Sequence, residues 1–372
     1  MKIEVEEVRS RRELLRFIKF PERLYKDNPN WVPPLHSDEL FTLGPGNPAL
    51  DFCERACYLA VADGEIVGRV AAIVNRKSHE LWGEKVVRFG WLDFIDDIEV
   101  LRALIGAVAD FGRLRGCTSI KGPLGFSDLD KEGLLVEDFD VLAPFTVIYN
   151  HPYYGQRLEE LGFVKDADWI QKMVEIPAHD VPRLEFTHLV EESFGLHTVK
   201  GGSMKQLSKR YGVEIFHLVN EAFSELYEYT PLSDRQIESY LKTYVPILNR
   251  DFVSLVVDSE DHIAGFAFCV PSLSRAFQKA RGRLFPFGFI HILKALRKND
   301  TVEALMIGVL PKYQGLGASA LMFKELLDSC RKHGIVRILA NPQLENNYKV
   351  QSIFDGFEFR PFMRRRSYVR TL

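Results

Sequence analysis

The sequence predicts an α/β chain that contains two domains of similar plan. The segment Thr301–Leu310 is apolar and rich in β-branched residues, the glycine-containing turn 314–319 follows it, and an amphipathic segment then runs to Gly334. This order predicts a strand, a turn and a helix. A chain of 372 residues is also too long for one ordinary hydrophobic core, so two domains are expected.

Two pairs of landmarks indicate that the plan occurs twice. Hairpin-like segments, each with an acidic turn, surround Gly68 and Gly265, which stand 197 positions apart. The Gly-Phe pairs that begin at Gly162 and Gly356 are separated by a similar 194 positions. This agreement predicts a duplication.

Each half carries one insertion. The second half contains the apolar run Arg281–Lys298, which has basic residues at both ends, and the first half contains a long loop-like stretch over residues 122–149. Three interpretations of the apolar run are open: packing against the first half, a wall of an apolar acceptor pocket, or a surface helix that contacts lipid. The two insertions are expected to meet around an acceptor, with His151, Tyr153 and Tyr154 as candidate pocket residues.

The turn and its flanks resemble the coenzyme A-binding motif of the GNAT superfamily of N-acyltransferases. The matching positions are Val309, Pro311, Tyr313, Gln314, Gly315 and Gly317. The resemblance implies an α/β (α+β) fold of two tandem GNAT-like domains, each a mixed, mostly antiparallel sheet flanked by helices. We expect a degenerate domain at residues 1–178 and a domain with the acyl-coenzyme A motif at residues 179–372.

The resemblance also implies the residues that bind the coenzyme. Backbone N–H groups of Ile307 and Val309 would meet the thioester and the pantetheine arm. The loop would hold the pyrophosphate through main-chain N–H groups at a helix N-terminus, an arrangement that suits an anion. The loop residues are Gln314, Gly315, Leu316, Gly317, Ala318 and Ser319. Asn347 or Asn346 would contact the pantetheine arm, with helix N-capping as the alternative role.

The catalytic groups are less defined by the motif. Glu303 stands where histone-type members of the family carry a general base, and strand alternation predicts that it shares a face with Leu305, Ile307 and Val309. The alternative is a solvated glutamate at the start of a strand. Many members have a tyrosine that protonates the leaving thiolate, but Ser352 occupies that position, so Tyr348 is the substitute candidate, with water as the alternative.

The corresponding junction of the first half has no glycine loop. It carries Asp93, Asp96 and Asp97 between a predicted strand and a predicted helix. Carboxylates at this place would repel a pyrophosphate, so we expect that the first domain has lost coenzyme binding.

The composition of the chain argues against several classes of function. The formal net charge of −3 gives no reason to expect a nucleic-acid partner, and the N-terminus lacks the apolar core of a signal peptide. No apolar run reaches membrane-spanning length. The five cysteines are scattered, so we expect no metal and no disulfide framework, and a cytoplasmic location.

The resemblance therefore implies transfer of an acyl group, acetyl by default, from acyl-coenzyme A to a primary amine of a small-molecule or peptide acceptor. Two alternatives stay open. One is a non-catalytic acyl-coenzyme A-binding or sensor protein, which the uncertain catalytic groups favour. The other is an aminoacyl-tRNA-dependent peptide-bridge (Fem-like) transferase, which also pairs two such folds but lacks a clear coenzyme loop.

Overall fold

A computed structural model describes residues 2–372, which form two compact units. The first unit contains the chain up to Ile170, then Leu273–Ile292 and Met363–Leu372. The second unit contains Gln171–Ser272 and Leu293–Phe362. The units are therefore interleaved in sequence, and a division into family domains at residue 178 stays a prediction.

The element order begins with the strands and helices of the first half. They are β1 (Ile3–Glu7), α1 (Arg11–Leu24), α2 (His36–Thr42), β2 (Cys53–Ala62), β3 (Glu65–Asn75), α3 (Arg76–Trp82), β4 (Val86–Phe94), α4 (Ile98–Arg113), β5 (Ser119–Gly122), β6 (Leu134–Leu135), α5 (Tyr153–Glu160) and β7 (Val164–Glu175). The next elements are α6 (Pro182–Glu185), α7 (Thr187–Phe194), β8 (His197–Thr198), α8 (Met204–Ala222), α9 (Asp234–Tyr244), β9 (Val253–Val257), β10 (Ile263–Pro271), α10 (Ser274–Ala280) and α11 (Gly288–Arg297). The last are β11 (Thr301–Val309), α12 (Ala318–Lys332), β12 (Arg337–Leu339), β13 (Gln343–Leu344), α13 (Tyr348–Gln351) and β14 (Phe359–Thr371).

The first unit is built on a sheet with the strand order β1-β2-β3-β4-β5-β14. Neighbouring strands are antiparallel except β4 and β5, which are parallel. Helix α4 covers one face of the sheet, because its apolar side chains, among them Leu101 and Leu104, pack with Val70 and Phe89 in one core cluster. The predicted hairpin around Gly68 is the pair β2 and β3.

The second unit has the strand order β7-β12-β11-β10-β9-β8, and only β11 and β12 are parallel. Alternate residues of β10 point to opposite faces. Ala267 and Cys269 pack in a core cluster with α12, whereas Phe266 and Phe268 pack in another cluster with α8. Helices thus cover both faces, and the predicted mixed, mostly antiparallel sheet is confirmed.

A buried polar network holds β3, β4, α1 and α5 together in the first unit. Arg69 forms an ion pair of 2.8 Å with Asp93, and both side chains are buried. The hydroxyl of Tyr25 donates to Asp93 at 2.7 Å and lies 3.0 Å from the hydroxyl of Tyr154. Burial raises the pKa of Asp93, and the adjacent Arg69 opposes that rise. A charge removed from water in this way depends on its partner.

We therefore expect Arg69→Met to lower the free energy of unfolding by about 3–5 kcal/mol, because Asp93 is left as an unpaired buried charge. Urea unfolding monitored by circular dichroism measures the change. The matched control is Arg102→Met, which breaks an exposed pair with Glu99 and should change the free energy by less than about 0.5 kcal/mol. Equal losses in the two variants would contradict this account of the network.

Candidate functional site

Strand β11 loses its partner on one side after the first three of its nine residues. It pairs with β12 only through Thr301↔Arg337, Val302↔Ile338 and Glu303↔Leu339. On its other side, pairing with β10 continues to Val309. Since no further β12 pair is formed by the described residues, the two parallel strands diverge after Glu303 and leave one edge of β11 open.

The open edge carries main-chain donors. The N–H of Leu310 donates to Ala264 on the β10 side at 3.0 Å. Successive N–H groups of a strand point to opposite sides, so those of Ile307 and Val309 point away from β10. These are the two N–H groups that the motif predicts to face a ligand.

A bulge at Leu305 changes the expected arrangement of side chains. Phe268 pairs with Met306 and Cys269 pairs with Ala304, so Leu305 is an extra residue in β11. Because Val270 pairs with Glu303, this glutamate shares a face with Met306. The prediction that simple alternation puts Glu303, Ile307 and Val309 on one face is therefore wrong. Glu303 points to the face of α8, whereas Ile307 and Val309 pack on the face of α12.

Glu303 is not a solvated side chain. It is 1% exposed, and Ser272 donates a hydrogen bond of 2.6 Å to its Oε1 atom. The alternative interpretation of Glu303 as a solvated glutamate is thus wrong. A carboxylate held in an apolar strand environment beside an open backbone edge is suited to proton transfer.

The turn between β11 and α12 presents its main chain outward. Gly315 has a φ of +79°, and a Cβ at this position would meet no atom within 4 Å. Within residues 2–372, no hydrogen bond is formed by the N–H groups of Gly315, Gly317, Ala318 or Ser319. Helix α12 begins directly behind them without a side-chain cap. Free donors at a helix N-terminus make a site for an anion such as a pyrophosphate.

Two side chains fix the turn to the sheet. The amide Nε2 of Gln314 donates to the carbonyl of Val309 at 3.2 Å, and the hydroxyl of Tyr313 donates to Asp258. Burial alone would raise the pKa of Asp258, but Tyr313 and the N–H groups of Glu260 and His262 lower it. The carboxylate therefore remains charged and holds the turn at neutral pH.

Comparisons with known proteins show which family the chain belongs to. The profile of the acetyltransferase (GNAT) family matches residues 213–354. The chain is 30% identical over 317 residues to "Bacterial ceramide synthase" of Caulobacter vibrioides (strain NA1000 / CB15N). This match covers 82% of this chain and 80% of that protein. The chain belongs to the acetyltransferase (GNAT) family.

Two further proteins are similar along almost the whole chain. "Protein YghO" of Escherichia coli (strain K12) is 26% identical over 380 residues, or 98% of this chain and 94% of that protein. The solved structure of a tandem GNAT protein from the clavulanic acid biosynthesis pathway covers 100% of this chain and 98% of its own, with a TM-score of 0.59 and 12% identity. The latter likeness confirms a tandem GNAT fold.

The remaining predicted GNAT residues lie around α13. The side chain of Asn347 accepts a hydrogen bond of 3.2 Å from the N–H of Val350. Asn347 therefore caps this helix, which is the alternative role predicted for it. Tyr348 is 75% exposed, and the hydroxyl of Ser352 donates to the carbonyl of Lys349 at 2.8 Å. A contact of Asn347 with pantetheine and an acid role of Tyr348 stay predictions.

The first unit contains the same divergence of strands, but its own residues fill it. The pairing of β4 with β5 ends at Arg88, and the hydroxyl of Tyr154 accepts a hydrogen bond of 3.0 Å from the N–H of Phe94. The carboxylates that were predicted to repel a pyrophosphate are partly neutralised, because Asp93 is paired with Arg69 and Asp96 with Arg157. Asp97 caps α4 through the N–H of Glu99.

One buried polar side chain was not predicted from the sequence. Gln343 is 4% exposed, and neither its Oε1 nor its Nε2 atom has a hydrogen-bond partner in the described chain. It stands four positions beyond the end of β12, the strand from which β11 diverges. A glutamine between a proline and a leucine gives no sequence signal of burial.

Among residues 2–372, no group of three or more His, Cys, Asp or Glu side chains is placed to hold a metal ion.

The two turn glycines are expected to differ in their response to alanine. Gly315→Ala should lower the free energy of unfolding by about 1 kcal/mol, the usual cost of a left-handed backbone for alanine. Gly317 has a φ of +91°, and a Cβ there would lie 2.5 Å from Val190 Cγ2. Gly317→Ala should therefore cost a further 1–3 kcal/mol, roughly the penalty for overpacking.

Thermal unfolding of the two variants measures this difference. Repeating both substitutions in a Val190→Ala background is the control, since the extra cost at Gly317 should disappear when the clashing side chain is removed. An extra cost that persists in this background would contradict the steric explanation.

Proposed function

We propose that the protein transfers an acyl group from acyl-coenzyme A directly to a primary amine and forms an amide. The observation that carries this proposal is the open edge of β11 next to a turn with free N–H groups. Both features are main-chain donors without protein partners among the described residues, and they follow each other along the thirteen residues from Ile307 to Ser319. Family membership supports acyl transfer, and the donor and the acceptor are our inference.

Each group in the site has a proposed task. The N–H groups of Ile307 and Val309 would donate to the thioester carbonyl, where negative charge develops as the amine attacks. The turn residues Gln314 to Ser319 would surround the pyrophosphate, and the free N–H groups of Gly315, Gly317, Ala318 and Ser319 would bind it. Asn347, whose Oδ1 caps α13, keeps its amide N–H groups available for the pantetheine arm.

Glu303 is the proposed general base. It would accept a proton from the attacking ammonium group, directly or through one water molecule, while Ser272 holds its carboxylate in place. Because the bulge turns Glu303 to the face of α8, we infer that the amine approaches β11 from this face. The coenzyme loop, which leads into α12, serves the other face. Tyr348 or water would return a proton to the departing thiolate.

The acceptor and the acyl group are proposed to be lipid-like. A ceramide is the amide of a fatty acid with a long-chain amino alcohol, so the name of the Caulobacter relative describes an N-acylated product of this chemistry. That relative matches most of this chain, which favours a long-chain amine as acceptor and a fatty acyl donor over the acetyl group expected by default. Small-molecule and peptide amines are the competing acceptors.

A matrix of donors and acceptors tests this proposal. Acetyl-, octanoyl- and palmitoyl-coenzyme A are each combined with a long-chain amino alcohol, a polyamine and a peptide amine, and thiol release is measured together with amide formation. We expect turnover to be highest for the long acyl donor with the long-chain amine. Thiol release only with acetyl-coenzyme A and a polar amine would overturn the lipid assignment and leave N-acyl transfer intact.

Coenzyme binding can be tested without turnover. At 100 times its dissociation constant, acyl-coenzyme A should add about 2.7 kcal/mol to the free energy of unfolding and raise the melting temperature. Ser319→Asp should abolish this shift, because a carboxylate in the first turn of α12 repels a pyrophosphate. The same substitution should not destabilise the free protein, since an acidic side chain is favourable at a helix N-terminus.

The matched control is Asp97→Ala at the corresponding junction of the first unit. It should retain the full ligand-induced shift even though α4 loses its cap. Loss of the shift in this variant alone would assign the coenzyme to the first unit. Absence of a shift in the unmodified protein, together with transfer from aminoacyl-tRNA, would favour the peptide-bridge alternative.

Glu303→Gln is expected to lower kcat by about 10²–10⁴-fold, the usual contribution of a general base. Glutamine retains the shape of the side chain and an acceptor for Ser272, so the melting-temperature shift with acyl-coenzyme A should be unchanged. Steady-state thiol release measures the first quantity, and thermal unfolding measures the second. A variant with full activity would remove Glu303 from the mechanism, and binding without any turnover in the unmodified protein would favour a sensor.

A further inference from the structure

The segment that joins β10 to β11 exposes apolar side chains. Residues 273–292 of this segment belong to the first unit. Among them, Phe285 is 77% exposed, Phe287 is 69% exposed and Ile290 is 50% exposed. Phe289 lies beside Phe285, with ring centroids 5.8 Å apart. We call these four residues the aromatic tip. Single exposed apolar residues are ordinary, but a contiguous group of this kind marks an interaction surface.

The aromatic tip lies in a strongly basic part of the sequence. Residues 273–298 contain seven Lys or Arg residues and neither Asp nor Glu, although the whole chain has a formal net charge of −3. Arg275, Lys279, Arg281 and His291 line, together with Gln278, an open depression of about 550 Å³. Positive charge is therefore concentrated around the tip.

These cations are not neutralised by the part of the chain that the structure describes. Within it, no ion pair is formed by Arg275, Lys279, Arg281 or Arg283. Other arginines of the chain do have carboxylate partners, such as Arg69 with Asp93 and Arg366 with Asp168. Unpaired cations around exposed aromatic rings are suited to an external anionic partner.

The exposure of the tip does not result from a loose segment. The Nε2 atom of Gln278 donates to the carbonyls of Pro29 and Trp31 at 2.7 and 2.9 Å, and the N–H of His36 donates to the carbonyl of Gly282 at 2.9 Å. Phe277 packs edge-on against Phe145 of the first insertion, with centroids 5.4 Å apart. The base of the segment thus packs within the first unit, as one of the three interpretations expected, while its tip faces outward.

We propose that this segment docks the protein on the surface of a bilayer that contains anionic lipids. Phe285, Phe287 and Ile290 would enter the boundary between headgroups and acyl chains, and Arg275, Lys279 and Arg281 would bind lipid phosphates in the depression. This combination of apolar and basic groups is typical of interfacial anchors. Among residues 2–372, no helix has both the length and the apolarity needed to cross a membrane.

A lipid surface fits the tip better than other anionic partners. A nucleic acid or an acidic peptide would use the cations, but it offers no apolar layer for the exposed side chains of Phe285, Phe287 and Ile290. A membrane supplies both layers within a few ångströms of depth. The docking does not depend on the proposed acyl transfer.

Vesicle co-sedimentation of the full chain tests the proposal without acyl-coenzyme A or acceptor. Vesicles of phosphatidylcholine with roughly 30% phosphatidylglycerol, whose negative surface attracts polybasic segments, are compared with vesicles of pure phosphatidylcholine. We expect binding to the anionic vesicles and a decrease in 0.5 M salt, because salt screens the phosphate contacts.

Two groups of substitutions separate the apolar and the charged contributions. Phe285→Ser with Phe287→Ser should weaken vesicle binding by at least about tenfold, since two large apolar contacts are lost. Arg275→Gln, Lys279→Gln and Arg281→Asn together should weaken it by about 100-fold, because each basic residue contributes a factor of about five. Asparagine is chosen for Arg281 because it tolerates the residue's φ of 48°.

The matched control is Leu114→Ser, which removes an apolar side chain that is 85% exposed elsewhere in the first unit. It should bind vesicles like the unmodified protein, and all variants should retain the melting-temperature shift with acyl-coenzyme A. No binding to anionic vesicles, an equal loss in the Leu114 variant, or displacement from vesicles by a single-stranded oligonucleotide would overturn the proposal.

Discussion

The candidate site depends on the early separation of two parallel strands. Backbone N–H groups inside a sheet normally have partners, and an unpaired buried donor costs about 1–3 kcal/mol. Strand β11 leaves its partner after Glu303 and keeps its other neighbour to Val309. The sheet tolerates this arrangement because β10 and the two flanking helices hold β11 in place. A polar ligand between the strands would complete the missing hydrogen bonds.

The same architecture has opposite uses in the two units. In the first unit, the hydroxyl of Tyr154 accepts a hydrogen bond from the N–H of Phe94, which lies beyond the point where β4 and β5 diverge. In the second unit, the corresponding edge remains open and a turn with free donors follows it. The contrast agrees with the prediction that the first domain does not bind the coenzyme, because the side chain of Tyr154 takes the corresponding place there.

Local chemistry explains which parts could be predicted from the sequence. The strand, turn and helix around Gly315 are recognisable because glycines, a proline and an amphipathic period act within a few residues. The bulge at Leu305 was not predictable, since it depends on the register with β10 and not on the residue itself. The burial of Gln343 and the network around Tyr154 also escaped prediction, because their surroundings come from residues far away in sequence. The exposure of Phe285 and Phe287 likewise required knowledge of what packs beside them.

The interleaving of the two units limits how the chain can be shortened. The last strand of the first unit's sheet comes from the C-terminal end of the chain, where Tyr368 to Thr371 pair with β5. A fragment that stops near residue 178 would leave β5 without this neighbour and would present an unprotected sheet edge to other molecules. Such a fragment would tend to self-associate through strand addition. A half-length product of proteolysis or premature termination is thus expected to be a substrate for degradation and not a free-standing protein.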